Sequence, residues 1–203
     1  MNTPELLVIG GKPYSGKSTI SKAFVEFDGD KVISHLSMGE RLRAISCGAI
    51  ASRHTALVSN SAQQLKNHAP VPAEAPILVF EEFVDENPSD LIVLDGFPRY
   101  MNRLQTFKES AQRLGTNIIA VCKVNVGTEV IYERSHDRGQ RYEDIAENVA
   151  FIDRRLAEFR DGPLQVITAL SKEYPYYELD GTLPINRNAD ALQDIYRTHT
   201  ERV

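Results

Sequence analysis

The sequence predicts an α/β fold: a central parallel sheet of five strands with helices on both faces. Short apolar runs alternate with stretches of helical length, the order that a parallel sheet joined by crossover helices requires. One run, Leu91-Ile92-Val93-Leu94, has no polar alternation, as a strand covered on both faces should read. A third observation marks the edge of the sheet where chemistry belongs. Residues Gly11 to Ser18 read G-K-P-Y-S-G-K-S, a complete G-x-x-x-x-G-K-[ST] phosphate-binding loop, directly after the apolar run Leu6 to Ile9.

Each element follows in order. Leu6 to Ile9 is the first strand. The glycines after it let backbone N–H groups turn inward, and Lys17 opens a helix, continuing from Ser18 to Phe27, whose positive N-terminal end faces the same cavity. Gly11, Lys12, Pro13, Tyr14, Ser15, Gly16, Lys17, Ser18 and Thr19 are therefore candidates for holding a polyphosphate. A second strand is expected at Val32 to Ile33. From 37 to 89 strand signals vanish, and several short helices punctuated by Gly48, Pro70-Val71-Pro72 and Pro76 are expected as an insertion from the sheet. Further strands read at Leu91 to Leu94, Ile118 to Val124 and, more weakly, Tyr176 to Leu179. The stretch Asp137 to Asp144, rich in charge and poor in apolar residues, reads as a mobile flap. These signals describe one domain over 1–203: a core of 1–36, 90–136 and 148–203, an insertion of 37–89 and a short lid of 137–147.

Composition narrows the function classes. With 42% hydrophobic and 25% charged residues the chain is ordinary globular material. A net charge of -5 argues against a protein that coats nucleic acid, which needs clustered cations to displace counterions. Cys47 and Cys122 lie far apart and suit free thiols rather than a disulfide framework or a metal site, which points to a reducing cytosol. The N-terminus lacks the basic start and apolar stretch of a signal peptide, and no segment approaches the roughly 20 apolar residues needed to span a bilayer. A soluble, cytoplasmic protein without membrane contact is expected.

After the run at Leu91 to Leu94 comes Asp95-Gly96-Phe97-Pro98-Arg99. A carboxylate at the tip of a central strand can hold a magnesium ion, or its water shell, beside bound phosphates. Gly96 allows close backbone approach, Pro98 stiffens the turn, and Arg99 presents a planar fork suited to a pair of phosphate oxygens. This pentapeptide resembles the signature of the adenylate kinase family of nucleoside monophosphate kinases, and the resemblance runs from Leu6 to about Ile195. It implies the P-loop NTPase fold, with 37–89 as the acceptor-binding insertion and 137–147 as a short lid.

The resemblance also assigns roles. Ser37-Met38-Gly39-Glu40-Arg41-Leu42-Arg43 is similar to the family's helix opening after the second strand, with Arg43 in place of the arginine that grips the acceptor phosphate. Val71-Pro72-Ala73-Glu74 resembles the segment that lies along the acceptor base. Asp180-Gly181-Thr182 resembles the turn whose backbone flanks the donor adenine, which makes Thr182 a donor contact. Arg134, Arg138 and Arg155 fall at the family's spacing, with Glu147-Asn148 where an acidic residue and an asparagine are expected. Arg134 and Arg138 are four residues apart, so on a helix both project from one face. The chain lacks the four-ligand Cys/His cluster of long-lid members, and no structural metal is implied.

Departures bear chiefly on the acceptor. In adenylate kinases a threonine follows the serine of the second motif and a glutamine four residues past the pentapeptide arginine reads adenine; here Met38 and Arg103 stand there. Asn102 and Gln105 could contact a base if the helix were rotated, and Arg103 could pair with an acidic neighbour or an additional substrate phosphate. The family's middle flap arginine is replaced by Asp144, with Arg141 three residues earlier as its substitute if the flap folds differently. Tyr14 stands where a glycine is common, adding bulk beside the phosphates, and Ser18 replaces another glycine.

The expected activity is ATP-dependent phosphoryl transfer to a nucleoside monophosphate by a monomer, with ATP and Mg2+ as cofactors. Lys17 and the loop would hold the donor phosphates, with Ser18 ligating magnesium and Asp95 acting through water. Arg43 and Arg99, with Ser37, Met38, Val71, Gly96 and Arg103, would contact the acceptor. Arg134, Arg138 and Arg155, with Arg141, would close over the transferring group. Two other readings stand: a kinase on the same scaffold with a non-standard small-molecule acceptor, and a nucleotide-binding regulatory protein with weak or no transfer.

Overall fold

Four consecutive large apolar residues are buried together only by a strand with cover on both faces. Leu6, Leu7, Val8 and Ile9, each 3% exposed or less, lie in β1 (Glu5–Gly11). Leu6 and Val8 join one apolar layer and Leu7 and Ile9 the other, the period-two alternation of a pleated strand. β3 (Leu91–Asp95) repeats the pattern, with Ile92 and Leu94 in the first layer and Leu91 and Val93 in the second. The computed structural model describes residues 3–26, 31–59, 74–141 and 149–200, the side chains of 138–141 excepted.

With β2 (Ile33–Ser37), β4 (Asn117–Asn125) and β5 (Tyr176–Asp180), these strands form one five-stranded sheet of order β2-β3-β1-β4-β5, parallel throughout. Such pairing requires crossovers, and the helices supply them on both faces. The first layer is closed by α2 (Met38–Ser46), α3 (Glu74–Glu86), α4 (Met101–Arg113) and α7 (Pro163–Leu170). The second is closed by α1 (Lys17–Val25) and α8 (Ile185–Thr200). Helices α5 (Thr128–Arg141) and α6 (Val149–Asp161) pack around a smaller cluster of Val126, Ile131 and Ile152.

Three local features differ from the sequence expectation. β2 runs to Ser37 rather than stopping at Ile33, because it is an edge strand in which only Leu36 is buried. Its polar members are used internally: Ser34 Oγ lies 2.6 Å from Ser89 Oγ. Pro76 does not interrupt a helix but sits in the first turn of α3, where the missing N–H costs nothing. The charged stretch from Asp137 begins as a continuation of α5 to Arg141, and 142–148 lie outside the described residues.

Between α2 and α3 a buried carboxylate anchors the chain. Glu82 on α3 is 1% exposed and accepts hydrogen bonds from Ser52 Oγ and the Arg53 backbone N–H, both at 2.6 Å. Burial alone would raise its carboxyl. The two hydrogen bonds, with the charges of His54 and Arg41, outweigh burial and hold it below its ordinary value.

Candidate active site

Because every strand is parallel, the loops that follow them gather along one edge of the sheet, where ligands of open α/β sheets bind. The first such loop leaves β1 at Gly11 and enters α1 at Lys17. Gly16, the residue before α1, has φ 91°, a left-handed conformation that glycine adopts freely. Tyr14 is also left-handed, at φ 60°, which costs a side-chain-bearing residue about 1–2 kcal/mol. Lys12 Nζ donates to the Val126 carbonyl at 3.1 Å. Ser15 Oγ is buried and makes no hydrogen bond among the described residues.

Asp95, the last residue of β3, is 3% exposed. Its Oδ2 accepts a hydrogen bond from Ser18 Oγ and faces His35 Nε2 across 3.6 Å, too long for a hydrogen bond. Burial pushes its carboxyl up, but His35, the charge of Lys17 and the Ser18 hydroxyl together hold it below its ordinary value. Asp95 is therefore an anion at neutral pH. Beyond it Gly96 is left-handed, the Phe97–Pro98 bond is cis, and the Phe97 ring packs edge-on to Phe107 at 5.1 Å. That anchor in the core aims the next residue, Arg99, away from it.

Lys17, Arg99 and Arg155 converge on one cavity of about 600 Å³, walled on its apolar side by Phe159, Val166 and Ile167. Burial and the neighbouring Arg155 pull the Arg99 guanidinium below its ordinary value, partly offset by Tyr100. Arg155 is steered by Glu158, whose Oε2 lies 3.5 Å from its Nε. A second cavity of about 930 Å³ opens on the other side of the loop, bounded by Tyr14, Gly16, Thr19, Arg134, Leu183 and Ile185 among others. Lys17 lines both.

Arg134 bounds the second cavity with its guanidinium already engaged. It donates to the carbonyls of Tyr14 and Ser15 at 3.2 Å each and to that of Gly181 at 2.7 Å. A Cβ on Gly181 would stand 2.6 Å from the Ser15 carbonyl oxygen, so only glycine lets this turn lie so close to the loop. Thr182 is exposed, and its N–H and hydroxyl both donate to Asp180 Oδ1, at 2.9 and 2.6 Å.

Other expected contacts lie elsewhere. Arg99 meets Lys17 and Arg155 rather than Arg43, which is exposed on α2 and lines neither cavity. Ser37 is the N-cap residue of α2 without a side-chain hydrogen bond there. Met38 is 4% exposed within the first core layer, so its departure from threonine is read by packing. Arg103 lies over the Tyr100 ring, 5.2 Å from its centre, and lines neither cavity. Burial and Arg99 lower its guanidinium, against Tyr100. Val71 and Glu147-Asn148 lie outside the described residues, as do the side chains of Arg138 and Arg141. The sequence reading passed over Leu183 and Ile185, exposed by 50% and 48%, which give the second cavity an apolar face. Two apolar residues flanking a proline just after Asp180-Gly181-Thr182 were the available signal. His35 was also missed; a lone polar residue in an edge strand carries no pattern.

Fold and site together define a protein of the P-loop NTPase fold with two adjoining cavities on one phosphate loop. No family model matches the chain. It is 25% identical over 198 residues to an adenylate kinase of Nautilia profundicola, covering 95% of this chain and 96% of that protein. It is 26% identical over 201 residues to UMP-CMP kinase 3 of Arabidopsis thaliana, covering 98% and 93%. Adenylate kinase 1 of Synechocystis is 28% identical over 193 residues, covering 94% and 96%. This likeness to adenylate kinases and UMP-CMP kinases over nearly the whole chain supports an enzyme of the nucleoside monophosphate kinase class.

Proposed function

We propose that the protein transfers the terminal phosphoryl group of ATP to a nucleoside monophosphate, giving ADP and a nucleoside diphosphate. The observation that carries the reading is the convergence of Lys17, Arg99 and Arg155 on one cavity that adjoins a second through Lys17. Phosphoryl transfer asks a protein mainly to align donor and acceptor oxygens and to balance the charge that spreads over the moving group. Two cavities meeting at a lysine have that arrangement.

The donor base and sugar occupy the second cavity against Leu183 and Ile185, with the Gly181-Thr182 backbone alongside. The backbone of Gly11 to Gly16 and the Lys17 ammonium hold the phosphates, and Ser15 Oγ is a donor that the loop does not use internally. The acceptor phosphate lies between Arg99 and Arg155. Arg138, and Arg141 in place of the absent flap arginine, join them by their place in the sequence, and the lid of 137–147 closes over the site with the acceptor-binding insertion of 37–89. Ser18 Oγ and the ionised Asp95 present hard oxygens side by side, the donor type that suits magnesium. Magnesium, held by Ser18 directly and by Asp95 through water, would draw charge from the phosphate oxygens.

Neither Met38 nor Arg103 offers the contacts that would read adenine, so the acceptor base is not fixed as adenine. The test is ADP formation from ATP and magnesium with a panel of ribo- and deoxyribonucleoside monophosphates. Turnover above ATP hydrolysis is expected with at least one of them; hydrolysis alone with every member would overturn the reading.

A further inference from the structure

We infer that Tyr14 is a positioning residue: it fastens the phosphate loop to the α5–α6 pair, so that the loop and the arginines carried by those helices keep one geometry. The inference rests on the proposed phosphoryl transfer and concerns how this chain holds its site together. A left-handed tyrosine in a loop where glycine would be free of strain is an observation that asks for a compensating contact. Its ring supplies one. The Tyr14 side chain packs against the apolar cluster formed by Val126 ahead of α5, Ile131 on α5 and Ile152 on α6. Ile131 and Ile152 are 0% and 1% exposed, so the ring closes a real apolar cluster rather than lying on a surface.

Two polar contacts run in parallel with the ring. Lys12 Nζ, two residues earlier, donates to the Val126 carbonyl, and Arg134 on α5 donates to the carbonyls of Tyr14 and Ser15. The loop is thus held to α5 and the turn before it by three groups: an ammonium, an aromatic ring and a guanidinium. Arg134 and Arg155 are carried by the same two helices. A glycine at position 14 would satisfy the backbone and leave the loop fastened by the polar contacts alone. Displacement of the helices by about an ångström relative to the loop is enough to cost a large factor in an aligned transfer.

The test compares Tyr14→Gly and Tyr14→Phe with the parent protein in two measurements. The first is the ratio of phosphoryl transfer, to whichever acceptor the panel identifies, to ATP hydrolysis without acceptor. The second, made without nucleotide, is amide hydrogen exchange over 126–134. Tyr14→Gly is expected to lower the ratio by about tenfold or more and to speed exchange in 126–134, with Tyr14→Phe restoring most of both. A side chain that merely filled space would change thermal stability and leave the ratio alone. Parent-like ratio and exchange in Tyr14→Gly would overturn the inference. If that variant does not fold, Ile152→Ala hollows the same cluster from the helix side, and an unchanged ratio there overturns it equally. A parent protein that transfers to no acceptor would instead sink the proposed function, and the exchange measurement would still decide whether the loop and α5 are coupled.

Discussion

At the scale of single residues, the site separates arginines that face space from those that face backbone. Arg99 lines a cavity with Lys17 and Arg155 and is pulled below its ordinary value by burial, so its charge is poorly solvated and available to an anion. Arg99→Ala is therefore expected to lower transfer by about 100-fold or more, the effect of removing one charge-assisted contact from a water-poor site. The loss should fall on kcat/KM for the acceptor, with the KM for ATP little changed, in steady-state kinetics varying each substrate in turn. Parent-like kcat/KM would place the acceptor phosphate elsewhere. Both arginines were singled out by the resemblance, since Arg99 ends the signature pentapeptide and Arg155 falls at the family's spacing with Arg134 and Arg138. What spacing could not tell is that the Arg134 fork is spent on three carbonyls, because backbone acceptors leave no mark in a sequence. Nor could it tell that Met38 points into the core: a methionine after a serine reads alike on either face.

Elements position these residues, and the insertion is where an element depends on one buried charge. Glu82 ties α3 to the segment at Ser52 and Arg53, with its carboxyl held below its ordinary value of 4.5. A carboxylate depressed in the folded state contributes stability above its unfolded value and loses it as pH falls through the folded one. Glu82→Gln removes the charge and puts an amide NH2 in place of one of the two carboxylate oxygens that accept separately from the Ser52 hydroxyl and the Arg53 N–H. A loss of about 1–3 kcal/mol at pH 7 is expected from denaturant unfolding. The gap between parent and variant should shrink as pH is lowered from about 4.5, where the unfolded chain's carboxylate begins to take up protons, and close as pH falls through the lower value of the folded protein. A gap that stays constant with pH would mean that the charge is not what holds the segment. β1 and β3 were plain because burial on both faces demands unbroken apolar runs. β2 was truncated because an edge strand keeps polar residues for Ser89 and Asp95, and Pro76 misled because the first turn of a helix tolerates proline.

For the molecule as a whole, parallel topology brings the ends of β1, β3, β4 and β5 to one edge, and both cavities open there on the same loop. A ligand filling the second cavity touches the loop, α1, α5 and the turn after β5 at once, contacts that the unfolded chain does not offer. Its binding energy therefore adds to the stability of the whole fold. At about 100 times its dissociation constant a ligand stabilises by about 2.7 kcal/mol. For a domain of this size each kcal/mol raises the melting temperature by about 2–4 °C, so ATP should raise it by about 5–10 °C in a thermal unfolding experiment. Lys17 lines both cavities, and Lys17→Ala should remove most of that shift. An undiminished shift in Lys17→Ala would mean that ATP is held without the loop lysine and that the two cavities are not joined as donor and acceptor sites. A shift lost together with several degrees of nucleotide-free stability would assign Lys17 to the architecture of the loop instead.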